Sequence, residues 1–197
     1  MITILDLLNS KEKEKLIVKH LNANEVLFKE GEKANYVGFL TSGALSIESY
    51  SLTGKLITFN TIYPGEMFGN NLVFSNDQYY LGEVKARVKS TLYLLLKEDL
   101  LNILQTNKAF LMQFLNQESE FTKSLNGKVK LLSFDSASER IMYYIHLKGD
   151  KVRINSISNL AKEVSLSREA TSRTIYKLIK ENKIKREGNT FSIISNI

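Results

Sequence analysis

The residues best suited to chemistry stand together near the end of the chain. Ser167-Arg168-Glu169-Ala170-Thr171-Ser172-Arg173 runs on into Thr174-Ile175-Tyr176-Lys177. Wound as a helix, Arg168, Glu169, Ser172, Arg173 and Tyr176 form one outward stripe. Ala170, Thr171, Ile175, Leu178 and Ile179 fall on the other side. The stripe carries side chains that read base edges. Arginine can engage two acceptors of guanine, glutamate can accept from a cytosine amino group, and serine can bond either way. Lys177, Lys180, Lys183 and Lys185 would neutralise phosphates, which adds affinity without sequence information. The alternative for the same residues is an ordinary solvated helix face.

Charge placement favours a polyanion. Residues 1–147 carry 16 basic and 16 acidic side chains, whereas residues 148–197 carry 11 basic and 5 acidic ones. The whole net charge of +6 therefore lies in the last fifty residues. A basic membrane-surface helix would need a wide apolar face, but this segment is broken by turns. With no cysteine in 197 residues, a disulfide framework, an iron–sulfur cluster and a thiol nucleophile are excluded. Only His20 and His146 are histidines, and each is expected to be structural, so no metal or cofactor is expected. No apolar run reaches the length of a membrane span and no signal peptide opens the chain, so a cytoplasmic protein is expected.

These side chains need elements to hold them. Leu7, Leu8, Leu16, Ile17 and Leu21 suggest a helix over residues 1–22. Seven of the ten glycines fall between residues 24 and 97. They separate short runs, Glu25–Phe28, Tyr36–Leu40, Ala44–Tyr50, Leu56–Ile62, Glu83–Val88 and Thr91–Leu96, which predict an all-β sandwich or barrel. Thr53-Gly54 predicts a hairpin turn, and Pro64 a loop leaving a strand. Next, Leu111, Phe114, Glu118, Phe121, Leu125, then Lys128 or Val129, and Leu132 recur at spacings of three and four. They predict an amphipathic helix of roughly 25 residues, some 35–40 Å long. Such a helix overhangs a domain of about 100 residues, which favours pairing with its copy over lying on its own sheet. Ser136-Ala-Ser-Glu139 has capping-box spacing ahead of Ile141, Met142, Ile145 and Leu147. Asn155/Ser156 and Ser167 can each cap a further helix, with a break at Ser165-Leu166. Ile184 to Ile197 alternates as a hairpin turning at Gly188-Asn189. Two short helices, a tight turn and a hairpin in a basic segment describe a winged helix-turn-helix.

Over roughly residues 5–195 the chain resembles the CRP/FNR transcription factors, the family of the cyclic-AMP receptor protein and the fumarate–nitrate regulator. The resemblance rests on V-L-F-K-E-G-E (26–32), F-L-T-S-G-A-L (39–45), T-G-K-L-I (53–57), P-G-E-M-F-G (64–69), the long helix and S-R-E-A-T-S-R (167–173), in that order. It implies an α+β chain of three parts. Residues 1–108 would be a β-roll sensor, a double-stranded jelly roll like a cyclic-nucleotide-binding domain. Residues 109–133 would be a dimerisation helix, and residues 134–197 a winged helix-turn-helix that binds double-stranded DNA. A bacterial regulator acting as a homodimer on a palindromic operator is implied, with RNA polymerase a further partner the resemblance allows. Ser167, Arg168, Glu169, Ser172, Arg173, Tyr176 and Lys177 would face DNA. Leu111, Phe114, Glu118, Phe121 and Leu125 would face the second copy. Arg168, Glu169 and Arg173 match base-contacting positions of the family. Glu169 with Ser172-Arg173 matches the FNR branch, while Arg168 is more like the CRP branch, so the half-site is open between TGTGA-like and TTGAT-like. Ser165 stands where the family often has a turn glycine.

The sensor departs from the family's nucleotide-binding pattern. Where cyclic-nucleotide-binding members place a ribose-binding glutamate after F-G, this chain has Asn70. Where they place an Arg-Ser pair on the phosphate, it has Tyr80-Leu81-Gly82. Leu125-Asn126 replaces the small polar pair that would meet adenine. A buried phosphate without its arginine would be costly. The effector, if any, is therefore expected to be an unknown small molecule other than a cyclic nucleotide. Asn70, Tyr79, Tyr80 and Leu125 are candidates for its pocket, with a plain core role the alternative. A cyclic-nucleotide-dependent regulator of the same fold and, more distantly, a cupin-like jelly-roll enzyme are the competing readings. The second would need metal-binding histidines, and residues 24–97 contain none.

Overall fold

The computed structural model describes residues 3–194. The chain divides into two compact units, Met1–Asn116 and Gln117–Ile197. No helix among the described residues is long and apolar enough to cross a membrane.

The first unit opens with a 3-10 turn (Ile4–Leu7) and α1 (Ser10–Lys13), capped by Asn9, whose side chain accepts from the Glu12 N–H at 3.0 Å. β1 (Ile17–Leu21) follows. The helix expected over residues 1–22 is thus two short turns and a strand, with residues 1–2 outside the described range. Ile17–Leu21 pairs antiparallel with Ser90–Leu94, and of its five residues only Leu21 is buried. A ladder to a distant partner outweighs a weak local period here, and β-branched Ile17 and Val18 favour it.

The six expected β-segments form close to their places, as β2 (Val26–Phe28), β3 (Tyr36–Ser42), β4 (Leu45–Tyr50), β5 (Leu56–Ile62), β7 (Glu83–Ala86) and β8 (Ser90–Leu96), and a short further strand, β6 (Met67–Phe68), forms where a loop was expected. α2 (Asn70–Val73) sits between β6 and β7, and α3 (Lys97–Thr106) follows β8. The strands make two antiparallel sheets, ordered β1-β8-β3-β6 and β2-β7-β4-β5. Both feed one core, with Phe28, Val37, Leu45, Ile62, Val84, Leu92, Leu95, Leu100 and Phe110 among its buried side chains. The apolar run in β8 has its cause in this arrangement: the strand lies between β1 and β3, and Leu92, Leu94 and Leu95 are all buried.

Two glycines of the β-roll are explained by close approach. Gly69, which precedes α2, has φ +77°, and a Cβ there would lie 2.8 Å from the Tyr36 carbonyl oxygen. At Gly38 a Cβ would run into the Phe68 ring.

α4 spans Lys108–Leu132, 25 residues, one residue earlier at each end than the sequence suggests. At 1.5 Å per residue it is about 37 Å long. The division between the units falls inside it.

The second unit continues with α5 (Ala137–Leu147), β9 (Lys151–Arg153), α6 (Ile157–Glu163), α7 (Arg168–Lys180), β10 (Ile184–Glu187) and β11 (Thr190–Ile193). β9 extends the expected hairpin to a three-stranded sheet, ordered β10-β11-β9. The last three residues of the expected hairpin, 195–197, lie outside the described range. Leu131, Ile141, Ile145, Leu160, Val164, Ile175, Leu178, Ile184 and Phe191 form a separate core. The resulting fold is mixed α+β, with a β-roll, a long helix and a helical C-terminal unit carrying a small sheet.

Candidate nucleic-acid interface

The α6-turn-α7 segment is held from its ends. Ser156 caps α6 by accepting from the Asn159 N–H at 3.1 Å. Ser167 caps α7 by accepting from the Ala170 N–H at 3.1 Å, and its carbonyl also accepts from the Thr171 hydroxyl at 2.9 Å. Each cap satisfies a backbone donor that the first turn would leave unpaired. Between the helices Ser165 sits at φ +54°, in the left-handed region. A serine there costs roughly 1–2 kcal/mol more than a glycine would, which the surrounding core must offset. Thr171, Ile175 and Leu178 point into that core, with Ala170 and Ile179 half-buried. Helix α7 is thereby fixed in rotation.

The opposite face is open. Arg168, Glu169, Ser172, Arg173, Tyr176 and Lys177 are all exposed, Tyr176 at 71%. Glu169 and Arg173, one turn apart, form an ion pair at 3.8 Å. At this exposure it contributes little to stability, and both heads remain open to solvent. Ser167 is exposed as well, although its hydroxyl is occupied by the cap. The structure thus brings all seven expected DNA-facing residues onto one helix and leaves them in solvent.

The lysines beyond α7 have partners that the sequence did not announce. Lys183 donates to Glu181 at 2.9 Å, and Lys185 to Glu187 at 2.6 Å. The Lys183 ammonium holds the Glu181 carboxyl below the usual carboxylate range, and Lys185 does the same to Glu187. In return, Glu187 raises the Lys185 ammonium above its ordinary value. These pairs are on the surface, and a phosphate oxygen could replace either carboxylate at small cost.

Two further residues of this face carry signals that sequence reasoning passed over. Arg186 donates through Nε to the Gly188 carbonyl at 2.9 Å, and its guanidinium carbon lies 5.3 Å from the Phe191 ring centroid. An arginine two residues ahead of a hairpin glycine is where a wing tip would be charged. Ile157, at the start of α6, lines an open hollow of about 220 Å³ with Arg168, Glu169 and Ser172.

The expected dimer-facing residues divide. Phe114 is buried in the core of the first unit, its ring edge-on to Phe74 at 6.4 Å, so it is spoken for. Leu111 and Glu118 are half-buried. Phe121 and Leu125 are exposed, and Val129 and Leu132 continue them at i+4 and i+3.

The effector-pocket candidates also separate. Tyr79 is exposed and Asn70 is buried. Tyr80 is buried, stacked on Phe28 with ring centroids 4.6 Å apart, and its hydroxyl has no hydrogen-bond partner among the described residues. Burial, with Glu32 nearby, pushes this phenol well above its ordinary pKa. A Cβ on Gly69 would lie 3.5 Å from the same hydroxyl, so Tyr80 and the turn leading to Asn70 adjoin. Leu125 is exposed on the second unit. Arg87 is the only arginine before Arg140. It is exposed just past the end of β7, whereas Tyr80 precedes the strand's start. At the place where the resemblance puts a phosphate-binding arginine there is a buried, uncharged ring.

Residues 18–107 match the family model for the cyclic nucleotide-binding domain. No curated protein sequence matches the chain. Among solved structures, a variant of CooA from Carboxydothermus hydrogenoformans superposes with a TM-score of 0.71 at 15% identity, over 98% of this chain and 91% of that one. The c-di-GMP-responsive global regulator CLP of Xanthomonas campestris gives 0.60 at 19% identity, over 95% of this chain and 100% of that one. The Thermus thermophilus catabolite activator protein gives 0.55 at 19%, over 97% and 93% of the two chains. At these identities the likeness is one of fold. That fold is shared with CRP/FNR-type regulators.

Proposed function

We propose that this chain is a sequence-specific, DNA-binding transcription regulator that acts in the cytoplasm as a homodimer on a palindromic operator. The observation that carries the reading is the exposed row Arg168, Glu169, Ser172, Arg173 on a helix whose other face is locked into a core. Residues of those types in the first two turns suit the major groove. Lys177, Lys183 and Lys185 supply phosphate contacts, and Tyr176 extends the same face. α4 is the dimerisation helix of this proposal, using Phe121 and Leu125, with Leu111 and Glu118 at the margin. A signal at the β-roll, or the abundance of the protein, sets the relation of the two copies. The two recognition helices then meet half-sites about one helical turn apart. RNA polymerase is a further partner of this reading.

The effector in this proposal is a small molecule other than a cyclic nucleotide. Tyr80 supports that part: a phosphate at its place would lose a charge-assisted pair and its water together. The match of residues 18–107 to the cyclic nucleotide-binding domain favours a second reading, cyclic-nucleotide control of the same regulator.

Selection of duplexes from random or genomic DNA by the purified protein, followed by sequencing, tests the main reading. A recurrent inverted repeat is the expected result, and recovery of no common sequence refutes it. Calorimetry with cyclic AMP separates the two readings of the sensor. No heat of binding is expected, and a micromolar isotherm would establish the second.

A further inference from the structure

We propose that the hollow between α6 and α7 is a receptor for a thymine methyl group, and that Ile157 is the residue that reads it. The inference rests on the DNA-binding reading and deepens it.

Arg168, Glu169 and Ser172 are polar residues on the exposed face of α7, and all three border the hollow. Its fourth wall is Ile157, a half-buried β-branched aliphatic side chain at the first position of α6. Part of Ile157 packs against the core of its own unit and the rest faces the hollow. An opening of about 220 Å³ among base-reading side chains has room for a group projecting from a base pair. In the major groove only one base carries an apolar projection at its edge, the C5-methyl of thymine. The other base-edge groups there are hydrogen-bond donors and acceptors, which an isoleucine cannot satisfy. Arg168 and Glu169 would take guanine and cytosine groups on one side of the hollow. The methyl therefore belongs to a thymine next to the base pair they read.

The position of Ile157 makes the contact rigid. Ser156 caps α6 directly before it, and Ile157 has few rotamers. Contact with a methyl needs no proton and no counter-ion, so it should discriminate bases without changing the salt dependence of binding.

The test uses the duplex that the protein itself selects. Each thymine of one half-site is replaced in turn by deoxyuridine, which removes the methyl and nothing else. Withdrawing one methyl-sized group from an apolar contact should weaken binding about fourfold. One thymine adjacent to the guanine or cytosine read by Arg168 and Glu169 should show this loss with the wild-type protein. Ile157→Ala should bind the thymine duplex more weakly, and should no longer distinguish it from the deoxyuridine duplex. Its circular dichroism and its affinity for unselected DNA serve as controls for folding. If Ile157→Ala does not fold, the wild-type deoxyuridine series still decides. The inference is overturned if no thymine in the half-site responds, or if Ile157→Ala keeps the full discrimination. Selective binding that Arg173→Ala removes while every thymine is silent would sink this inference alone. Failure to select any sequence would sink the DNA-binding reading and this inference with it.

Discussion

Arg173 and Lys183 separate specificity from affinity. Arg173 is exposed beside Glu169 on the open face of α7, whereas Lys183 lies beyond the helix and is tied to Glu181. Arg173→Ala should cost roughly 1–3 kcal/mol on the selected duplex and relax the base preference. Lys183→Ala should weaken all sequences alike, so competition titrations that gave both variants the same loss of discrimination would contradict these roles. Tyr80 invites a different measurement. Its buried hydroxyl has no partner among the described residues, so Tyr80→Phe should leave stability unchanged or raise it by about 1 kcal/mol. The phenol's pKa is raised in the folded state, so the folded protein keeps its proton where the unfolded chain releases it. This group's contribution is intact below the unfolded value of about 10 and is lost as the pH climbs past it. Wild type should therefore lose more stability than Tyr80→Phe above pH 10 in denaturant titrations. Parallel curves would mean that Tyr80 titrates normally.

Among the elements, α4 has the clearest unfinished surface. Phe121 and Leu125 are exposed at 44% and 50%, and Val129 and Leu132 extend the row. A dimer would cover them. The double variant Phe121→Glu with Leu125→Glu would place carboxylates in such a seam and should sediment as a monomer where wild type sediments as a dimer. A wild-type monomer at micromolar concentration, with and without DNA, would remove the dimer from the proposal. Gly69 tests the turn ahead of α2. Its φ of +77° and the 2.8 Å from its Cβ position to the Tyr36 carbonyl oxygen make Gly69→Ala destabilising, by roughly 1–3 kcal/mol in thermal or denaturant unfolding.

For the molecule as a whole, the dominant fact is charge segregation. The excess of six positive charges lies within residues 148–197, while the preceding 147 residues are neutral. Affinity for DNA should therefore fall steeply with salt, by close to one logarithmic unit per phosphate contact for each tenfold rise in salt. Lys183→Ala should flatten that slope by about one unit per protomer, and Ile157→Ala should leave it unchanged. A salt-independent affinity would show that the basic unit does not meet phosphates.

The sequence by itself determined the composition of the parts. Glycine spacing placed most of the strands, Ser156 and Ser167 marked the starts of α6 and α7, and Gly188-Asn189 marked the hairpin turn. The recognition stripe was legible because a helix period sorts Arg168, Glu169 and Arg173 from Ile175 and Leu178 without any distant partner. Local periodicity does not report contacts made across the chain, and there the tertiary structure decided. Ile17–Leu21 became a strand because β8 offered it an edge. Phe114 left the exposed row because the core of the first unit took it. β9 was supplied by pairing with β11, and Ile157 and Ser172 came to border one hollow only once two capped helices had folded onto a common core. Periods and caps act over a few residues, so a sequence displays them. Burial and hollows depend on residues far apart in the chain, which the folded backbone alone brings together.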